Sequence, residues 1–316
     1  MRSPRILVVA AFVAAAASAV ACATEKAPAV AAADAKAVSF NEAAWRPHRE
    51  ADIPNDSMGA SIRRGLYLLR FTPESLPAYA TGNLRCTSCH QDDGLKPTAA
   101  PLTGSHARFP KYMPRSGAVI ALADRVNYCF TRSLAGNAIP VGSREMTDLL
   151  AYMAFISKDI PVGTKIAGAD GLISMPDTLD GDIARGEALF TAKTCTTCHG
   201  ATGEGVGPVP ALWGPKSYSV GASMTRLERA ASFIKHNMPQ SAPGTLTAQE
   251  AFDLSAYINS HPRPDSPGKE NDWPMGGAPK DVPYDTKAHS AFHAPPLISP
   301  IHCIQRSPQQ GNQNPS

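Results

Sequence analysis

The chain has 316 residues, of which 43% are hydrophobic and 18% are charged, and its formal net charge is +3. This composition is typical of a globular protein and excludes a disordered polymer or a bundle of membrane helices. The small net charge, with no long basic run in the sequence, also excludes nucleic acid as an expected partner. A chain of this length favours two domains.

Residues 1–23 have the features of a secretory signal peptide. Arg2 and Arg5 precede an apolar, alanine-rich segment, Ile6–Val20, which is too short to span a bilayer comfortably and leads into small residues at positions 19–21. We therefore predict a periplasmic protein, held at a membrane only if Cys22 is lipidated. Residues 24–39, rich in alanine, proline and charge, are predicted to be a flexible tether.

The motif CxxCH occurs twice, at Cys86–His90 and Cys195–His199. In this motif the two thiols form thioether bonds to a haem, and the histidine binds the iron from its proximal side. The sequence therefore predicts two covalently bound haem c groups. The expected attachment residues are Cys86, Cys89, Cys195 and Cys198, and the expected proximal ligands are His90 and His199.

Each haem iron can also bind a second ligand on its distal side. Met238 follows His199 at the same separation at which Cys129 follows His90. A methionine is the usual thioether partner of an electron-transfer haem, so Met238 is the predicted ligand of the second haem. Alternatives near it are His236, Met224 and Lys235.

The matching position in the first half carries a thiol, Cys129, with Met113 and His106 as alternative ligands. A buried cysteine that acts only as a small hydrophobe is the general alternative. A disulfide with Cys303 is another, since exported proteins form disulfides. Spacing alone leaves these readings open.

Cationic and hydroxyl side chains surround Cys129 in the sequence, namely Arg115, Arg125, Arg132 and Ser133. Arginines beside a cysteine lower its pKa and favour the thiolate, which is the nucleophilic and metal-binding form. They also suit a small divalent oxyanion. Solvated surface arginines, or arginines that pair with haem propionates, are the alternatives.

Amphipathic helices are predicted on both sides of each haem motif. Ser61–Arg70 contains Arg64-Gly65, which recurs as Arg185-Gly186 before the second motif. Ser143 is expected to cap a helix that continues to Lys158, and Thr247–Glu250 forms a capping box for a helix to about Ser260. We predict an all-α fold of two tandem class I cytochrome c-like domains. The predicted divisions are an N-terminal domain at 40–160, a linker at 161–180, a C-terminal domain at 181–262 and an extended tail at 263–316.

The run from Arg115 to Met146, together with two CxxCH motifs and Asn237–Pro239, resembles the dihaem thiosulfate dehydrogenases. The resemblance covers roughly residues 40–262. It implies that His90 and Cys129 are the axial ligands of a catalytic haem, and that His199 and Met238 bind an electron-transfer haem. It also implies that the substrate pocket is lined by Arg115, Arg125 and Ser133.

The activity implied by this resemblance is the oxidation of two thiosulfate ions to tetrathionate, with two electrons passed through the haems to an external cytochrome or other acceptor. Some members have a lysine before the distal methionine that exchanges as ligand, whereas this sequence has Asn237. Two alternatives are the reverse reaction, tetrathionate reduction, and a non-catalytic dihaem electron carrier. In the carrier, Cys129 would serve only as a structural ligand or to lower the haem potential.

Overall fold

The computed structural model describes residues 40–166 and 171–287, which all belong to one compact unit that begins at Phe40. The predicted signal peptide and tether, Cys22, Cys303 and the end of the predicted tail lie outside the described residues. In the described ranges, no helix combines the length and apolar character needed to cross a membrane.

The described chain is helical, with one short hairpin. Its elements in order are α1 Ser57–Arg70, α2 Thr72–Ser75, α3 Cys86–Cys89, α4 Gln91–Gly94, α5 Ser105–Arg108, β1 Lys111–Met113, β2 Ala118–Ile120, α6 Leu122–Tyr128, a π-helical turn Cys129–Ser133, α7 Arg144–Ile156, α8 Ile183–Ala192, α9 Thr196–His199, α10 Leu227–Asn237 and α11 Ala248–Asn259. Three single turns of 3₁₀ helix lie at Glu50–Asp52, Ser223–Thr225 and Lys269–Asn271.

Helices α1 and α7 cross at the centre of the N-terminal half. The crossing is close because Gly65 has no side chain: a Cβ there would overlap the carbonyl oxygen of Asp148 on α7. Helix α1 begins at Ser57, four residues before the predicted start, because the side chain of Asp56 accepts a hydrogen bond from the Gly59 amide. Ser143 caps α7 as predicted.

Helices α8 and α11 cross in the same way in the C-terminal half. Gly186 lies against the carbonyl oxygen of Asp253, and Thr247 and Glu250 form the predicted capping box. Each crossing carries an ion pair to a buried aspartate: Arg64 Nε lies 2.8 Å from Asp148 Oδ2, and Arg185 Nε lies 2.8 Å from Asp253 Oδ2. The repeated Arg-Gly therefore marks a repeated helix contact.

The two halves share part of their apolar interior. Tyr218 and Ala222, which follow the second haem motif, pack into the cluster that contains Phe130 and Met146 of the first half. A second cluster, around Phe252, belongs to the C-terminal half. The two halves are thus joined by packed side chains.

The segment that carries Cys129 begins with the hairpin and ends in an unusual turn. Strands β1 and β2 pair antiparallel, with Met113 opposite Ala118, and β2 leads directly into α6. At Cys129 the helix widens into the π-helical turn, in which the Leu134 amide donates to the Cys129 carbonyl at 2.8 Å. Single π turns of this kind occur frequently at functional sites.

Residues after α11 were predicted to form an extended tail, but the described part of them, 263–287, packs against both halves. The Val220 amide donates to the carbonyl oxygen of Pro264 at 2.9 Å. The Trp273 amide donates to the carbonyl of Arg115 at 2.8 Å. These backbone hydrogen bonds join the segment to residues that lie earlier in the chain. The segment is therefore held against the protein despite its proline- and glycine-rich composition.

Candidate active site

The first haem motif lies on the wall of a cavity of about 360 Å³. Cys86, Cys89 and His90 line it, and Cys129 and Ser133 of the π-helical turn line it from another element. A volume of this size is typical of a small-molecule or cofactor pocket. The structure thus brings together the attachment cysteines, the proximal histidine and the thiol that the sequence predicts.

The second motif lines a cavity of about 550 Å³. Cys195, Cys198 and His199 lie on its wall with Met238, which follows the last residue of α10. Met238 therefore shares a cavity with the second motif, as its predicted role as a ligand requires. Of the alternatives, Lys235 donates its ammonium to the carbonyl of Gly244 at 2.9 Å, and the His236 ring contacts the Ser232 carbonyl at 2.8 Å, whereas Met224 lines both cavities.

The histidine of each CxxCH motif has one ring nitrogen beside a backbone carbonyl. His90 Nδ1 lies 2.5 Å from the Ala100 carbonyl oxygen, and His199 Nδ1 lies 3.3 Å from the Pro210 carbonyl oxygen. A histidine that binds a metal commonly donates its other ring N–H to such a carbonyl, which fixes the tautomer and the ring orientation. The residues present therefore fit a haem in each cavity, with Nε2 left for the iron.

The thiol of Cys129 is held beside a guanidinium. Arg125 lies one helical turn earlier on α6, and its Nη1 donates to Cys129 Sγ at 3.2 Å. Burial alone would raise the pKa of Cys129, but the charge of Arg125 and the interaction with His90 lower it to about 6. Burial instead raises the pKa of the attachment cysteines, to about 11 for Cys86 and about 12 for Cys89. Cys129 is thus the thiol that this site favours as a thiolate.

Arg125 and Ser133 share the first cavity with Cys129, but Arg115 is directed elsewhere. Its Nε donates to Asp272 Oδ2 at 2.8 Å, and its Nη2 donates to the Gly221 carbonyl at 2.7 Å. Arg132 also pairs with Asp272. Of the arginines predicted around the thiol, Arg125 has a direct contact to its sulfur, while Arg115 and Arg132 contact a carboxylate.

Sequence reasoning missed Asp272 and Tyr284, whose hydroxyl donates to Asp272 Oδ2 at 2.8 Å. Both belong to the segment that the sequence analysis assigns to an extended tail. Trp273 could have indicated otherwise, because a large aromatic side chain in a proline- and glycine-rich segment favours burial of that segment against the protein.

The two cavities share a wall. Residues that line both of them are Leu84, Arg85, Cys89, Tyr218, Met224 and Phe233. Cys89 is itself an expected attachment residue of the first haem, so the second cavity reaches that motif directly. The arrangement suits the transfer of electrons from one cofactor to the other.

Comparison with known proteins agrees with this geometry. Residues 78–162 match the family model described as SoxA/TsdA, cytochrome c domain, and residues 183–262 match the model described as cytochrome c. A thiosulfate dehydrogenase of Psychrobacter arcticus is 41% identical over 239 residues, which cover 74% of this chain and 72% of that protein. This chain belongs to the thiosulfate dehydrogenase family.

Two further relatives support the assignment. The thiosulfate dehydrogenase of Allochromatium vinosum is 40% identical over 222 residues, covering 67% of this chain and 82% of that protein. The structure of thiosulfate dehydrogenase (TsdBA) from Marichromatium purpuratum, in its as-isolated form, superposes with a TM-score of 0.64 at 32% identity. The match covers 71% of this chain and half of that longer chain.

Membership confirms three predictions: the resemblance to dihaem thiosulfate dehydrogenases, the all-α fold of tandem cytochrome c domains, and the assignment to an enzyme family. It also confirms haem c as the cofactor class, since both matched models are cytochrome c domains.

Proposed function

We propose that this chain oxidises thiosulfate at the first cavity by the reaction 2 S₂O₃²⁻ → S₄O₆²⁻ + 2 e⁻. The observation that carries the proposal is the Cys129 thiol, which lines the cavity of the first haem motif with an arginine nitrogen 3.2 Å from its sulfur. The relatives named thiosulfate dehydrogenase, at 34–41% identity, support the choice of substrate.

Two covalently bound haem c groups would accept the two electrons, one each. In this proposal Cys86 and Cys89 attach the first haem, with His90 and Cys129 as its ligands, and Cys195 and Cys198 attach the second, with His199 and Met238 as its ligands. The alignment of both proximal histidines by backbone carbonyls supports this assignment.

Cys129 would react in two steps. Its thiolate first forms a sulfur–sulfur bond to the sulfane sulfur of one thiosulfate, giving Cys–S–S–SO₃⁻ with the loss of two electrons. The sulfane sulfur of a second thiosulfate then attacks the sulfane sulfur of this adduct, which forms tetrathionate and releases the Cys129 thiolate. A covalent intermediate of this kind divides one difficult step into two easier ones.

Arg125 and Ser133 would stabilise the charges that meet in this cavity. The guanidinium of Arg125 offsets the repulsion between the anionic adduct and an incoming dianion, and the Ser133 hydroxyl can donate a hydrogen bond. Arg115, which the family resemblance also places in the pocket, pairs here with Asp272. We therefore assign substrate binding to Arg125 and Ser133, and a supporting role to Arg115.

Electrons would leave through the second cavity to an external cytochrome or another acceptor. The shared wall of the two cavities supports a direct route between the haems, and a methionine ligand suits an electron-transfer haem. The signal-like start of the sequence supports a periplasmic location, which is also where such an acceptor would be met.

The test is a turnover assay on the holoprotein with thiosulfate and ferricyanide, in which tetrathionate is quantified. Cys129→Ala, purified with both haems bound, is expected to lose tetrathionate formation while its second haem is still reduced by a chemical donor. Full turnover by Cys129→Ala would contradict the mechanism and favour a non-catalytic carrier. The same assay started from tetrathionate with a reduced dye tests the reverse reaction.

A further inference from the structure

The residues that follow α11 form a structured segment, residues 263–287, which we name the C-terminal strap. Its backbone is tied to both halves, through Pro264 to Val220 and through Trp273 to Arg115, as described above. Farther along, Asp281 pairs with Arg226 at 2.7 Å, and the Lys287 amide donates to the Glu270 carbonyl at 2.7 Å. The strap therefore holds a defined position on the molecule.

Asp272 is the strap residue whose carboxylate pairs with two arginines of the segment around Cys129. Its carboxylate is only 1% exposed. Oδ2 accepts hydrogen bonds from Arg115 Nε at 2.8 Å and from the Tyr284 hydroxyl at 2.8 Å, while Oδ1 accepts from Arg132 Nη2. Two guanidinium groups thus share one buried carboxylate, which is the kind of charge-assisted contact that fixes geometry.

The two arginines lie on opposite sides of Cys129 in the chain. Arg115 lies between β1 and β2, before α6, and Arg132 lies inside the π-helical turn that starts at Cys129. Asp272 therefore joins the beginning and the end of the segment that presents the thiol. The Trp273 amide adds a backbone contact to Arg115, whose guanidinium also lies 5.0 Å from the Trp273 ring centre.

The π-helical turn has a conformation that needs support from its surroundings. A π turn is less favourable than α-helix and persists where its surroundings hold it. Arg132 packs its guanidinium 4.1 Å from the ring centre of Tyr128, and among the described residues its buried Nη1 has no hydrogen-bond partner. Asp272 is the carboxylate that pairs with Arg132, whose side chain is partly buried.

We propose that Asp272 is a positioning residue for Cys129: by pairing with Arg115 and Arg132 it holds the π-helical turn in the conformation that presents the thiol to the first cavity. The effect on catalysis rests on the proposed function, in which Cys129 is the reacting thiol. The effect on the conformation of the π-helical turn does not rest on the proposed function. The effects on catalysis and on the turn are therefore tested separately.

The test compares the holoprotein with Asp272→Asn, which keeps the size of the side chain and removes its charge. We expect deuterium exchange in residues 129–134 to become about tenfold faster or more, since hydrogen bonds to charged groups are lost. We also expect the low-spin signal of a histidine- and thiolate-ligated haem, recorded by electron paramagnetic resonance, to lose intensity. For thiosulfate turnover, kcat is expected to fall more than KM rises.

A matched control is Asp253→Asn, which removes an equally buried carboxylate from its arginine in the C-terminal half. This variant is expected to lower global stability while exchange in residues 129–134 and the thiolate signal keep their wild-type values. Tyr284→Phe removes one donor to Asp272 without changing charge and is expected to cause a smaller change in the same direction. Tyr284→Phe also replaces Asp272→Asn as the test variant if Asp272→Asn does not fold.

Wild-type exchange in residues 129–134 and an unchanged thiolate signal in Asp272→Asn, or in Tyr284→Phe where only that variant folds, would overturn the proposal. Equal effects of Asp272→Asn and Asp253→Asn on these two readouts would overturn it as well, because they would show general destabilisation. Failure of the proposed function would instead appear as full thiosulfate turnover by Cys129→Ala. That result would not affect the conclusion drawn from deuterium exchange in Asp272→Asn.

Discussion

The two halves of the molecule have the same scaffold but different chemistry on the distal side of the haem. In each half an Arg-Gly pair on the first helix meets an aspartate and a tyrosine on the last helix. The equivalent residues are Arg64, Gly65, Asp148 and Tyr152 in the first half, and Arg185, Gly186, Asp253 and Tyr257 in the second. Duplication therefore extends to individual side-chain contacts in the helix crossing.

The difference begins where each distal helix ends. Helix α10 leads directly to Met238, with the apolar Ile234 one turn earlier, whereas α6 widens into a π-helical turn at Cys129, with Arg125 one turn earlier. One half thus places a thioether beside an apolar residue, and the other places a thiol beside a cation. The comparison indicates that a shared scaffold can tolerate a change of chemistry when that change is confined to the distal segment.

The largest effect is expected where the halves are alike. Arg64→Ala and Arg185→Ala should each lower the free energy of unfolding, because each leaves a buried aspartate without its guanidinium partner. Urea unfolding of the holoprotein measures both. Arg144→Ala is the control, since the Arg144 side chain is 70% exposed and its Nε lies 3.8 Å from Asp148 Oδ2, so we expect it to cost less than about 1 kcal/mol. Clearly unequal costs for the two principal variants would show that the crossings are not energetically equivalent.

The next effect should appear where the halves differ. Arg125→Ile gives the first site the residue that Ile234 supplies in the second, and we expect kcat/KM for thiosulfate to fall about 10²–10³-fold, as for the loss of one charge-stabilising donor. Arg125→Lys keeps a cation without the planar fork and should recover part of the activity. Steady-state assays with both haems bound measure this. Equal activity of the isoleucine and lysine variants would remove charge as the explanation.

The shared scaffold could be predicted from the sequence because its signals are local. CxxCH motifs, the Ser143 cap, the Thr247–Glu250 capping box and the repeated Arg-Gly each require only a few neighbouring residues. The equal separation of each distal candidate from its histidine also placed Cys129 and Met238 on the walls of the cavities.

The surroundings of Cys129 could be predicted only in part. The contact to Arg125 follows from a separation of one helical turn. The pairing of Arg115 with Asp272 joins residues far apart in the chain, and neither lies in a segment with helical periodicity. Since a sequence pattern shows which cations are near a thiol but not where their carboxylate partners lie, Arg115 was expected in the pocket rather than beside the strap.

A smaller effect concerns how closely the crossing helices approach. Gly65→Ala and Gly186→Ala would place a Cβ 2.9 Å from Tyr152 Cβ and 2.6 Å from Tyr257 Cβ, respectively, and each would also overlap a backbone carbonyl. We expect each to cost about 1–3 kcal/mol through overpacking, read from thermal unfolding of the holoprotein. Gly142→Ala is the control, because a Cβ there meets no atom within 4 Å. A neutral Gly186→Ala would show that α8 can shift where α1 cannot.

The smallest effect tests a contact between the halves. Thr98 Oγ1 donates to Asn237 Oδ1 at 2.8 Å, and Asn237 Nδ2 donates to the Thr98 carbonyl at 2.9 Å. Asn237 is fully buried beside Met238, and two residues after Thr98 the Ala100 carbonyl accepts from His90. Thr98→Val leaves the Asn237 carbonyl oxygen without this donor and should cost about 1 kcal/mol.

The same variant reports on ligand placement. If the contact holds the Met238 loop, Thr98→Val should weaken the red charge-transfer absorption of the methionine-ligated ferric haem, and Thr98→Ser should restore it because the hydroxyl is kept. Unchanged absorption together with the loss of stability would mean that the contact joins the halves without positioning Met238. In that case the second distal ligand depends on its own half alone, whereas Cys129 depends on a strap that follows the C-terminal half, and the difference between the two distal sites would extend to how each is held.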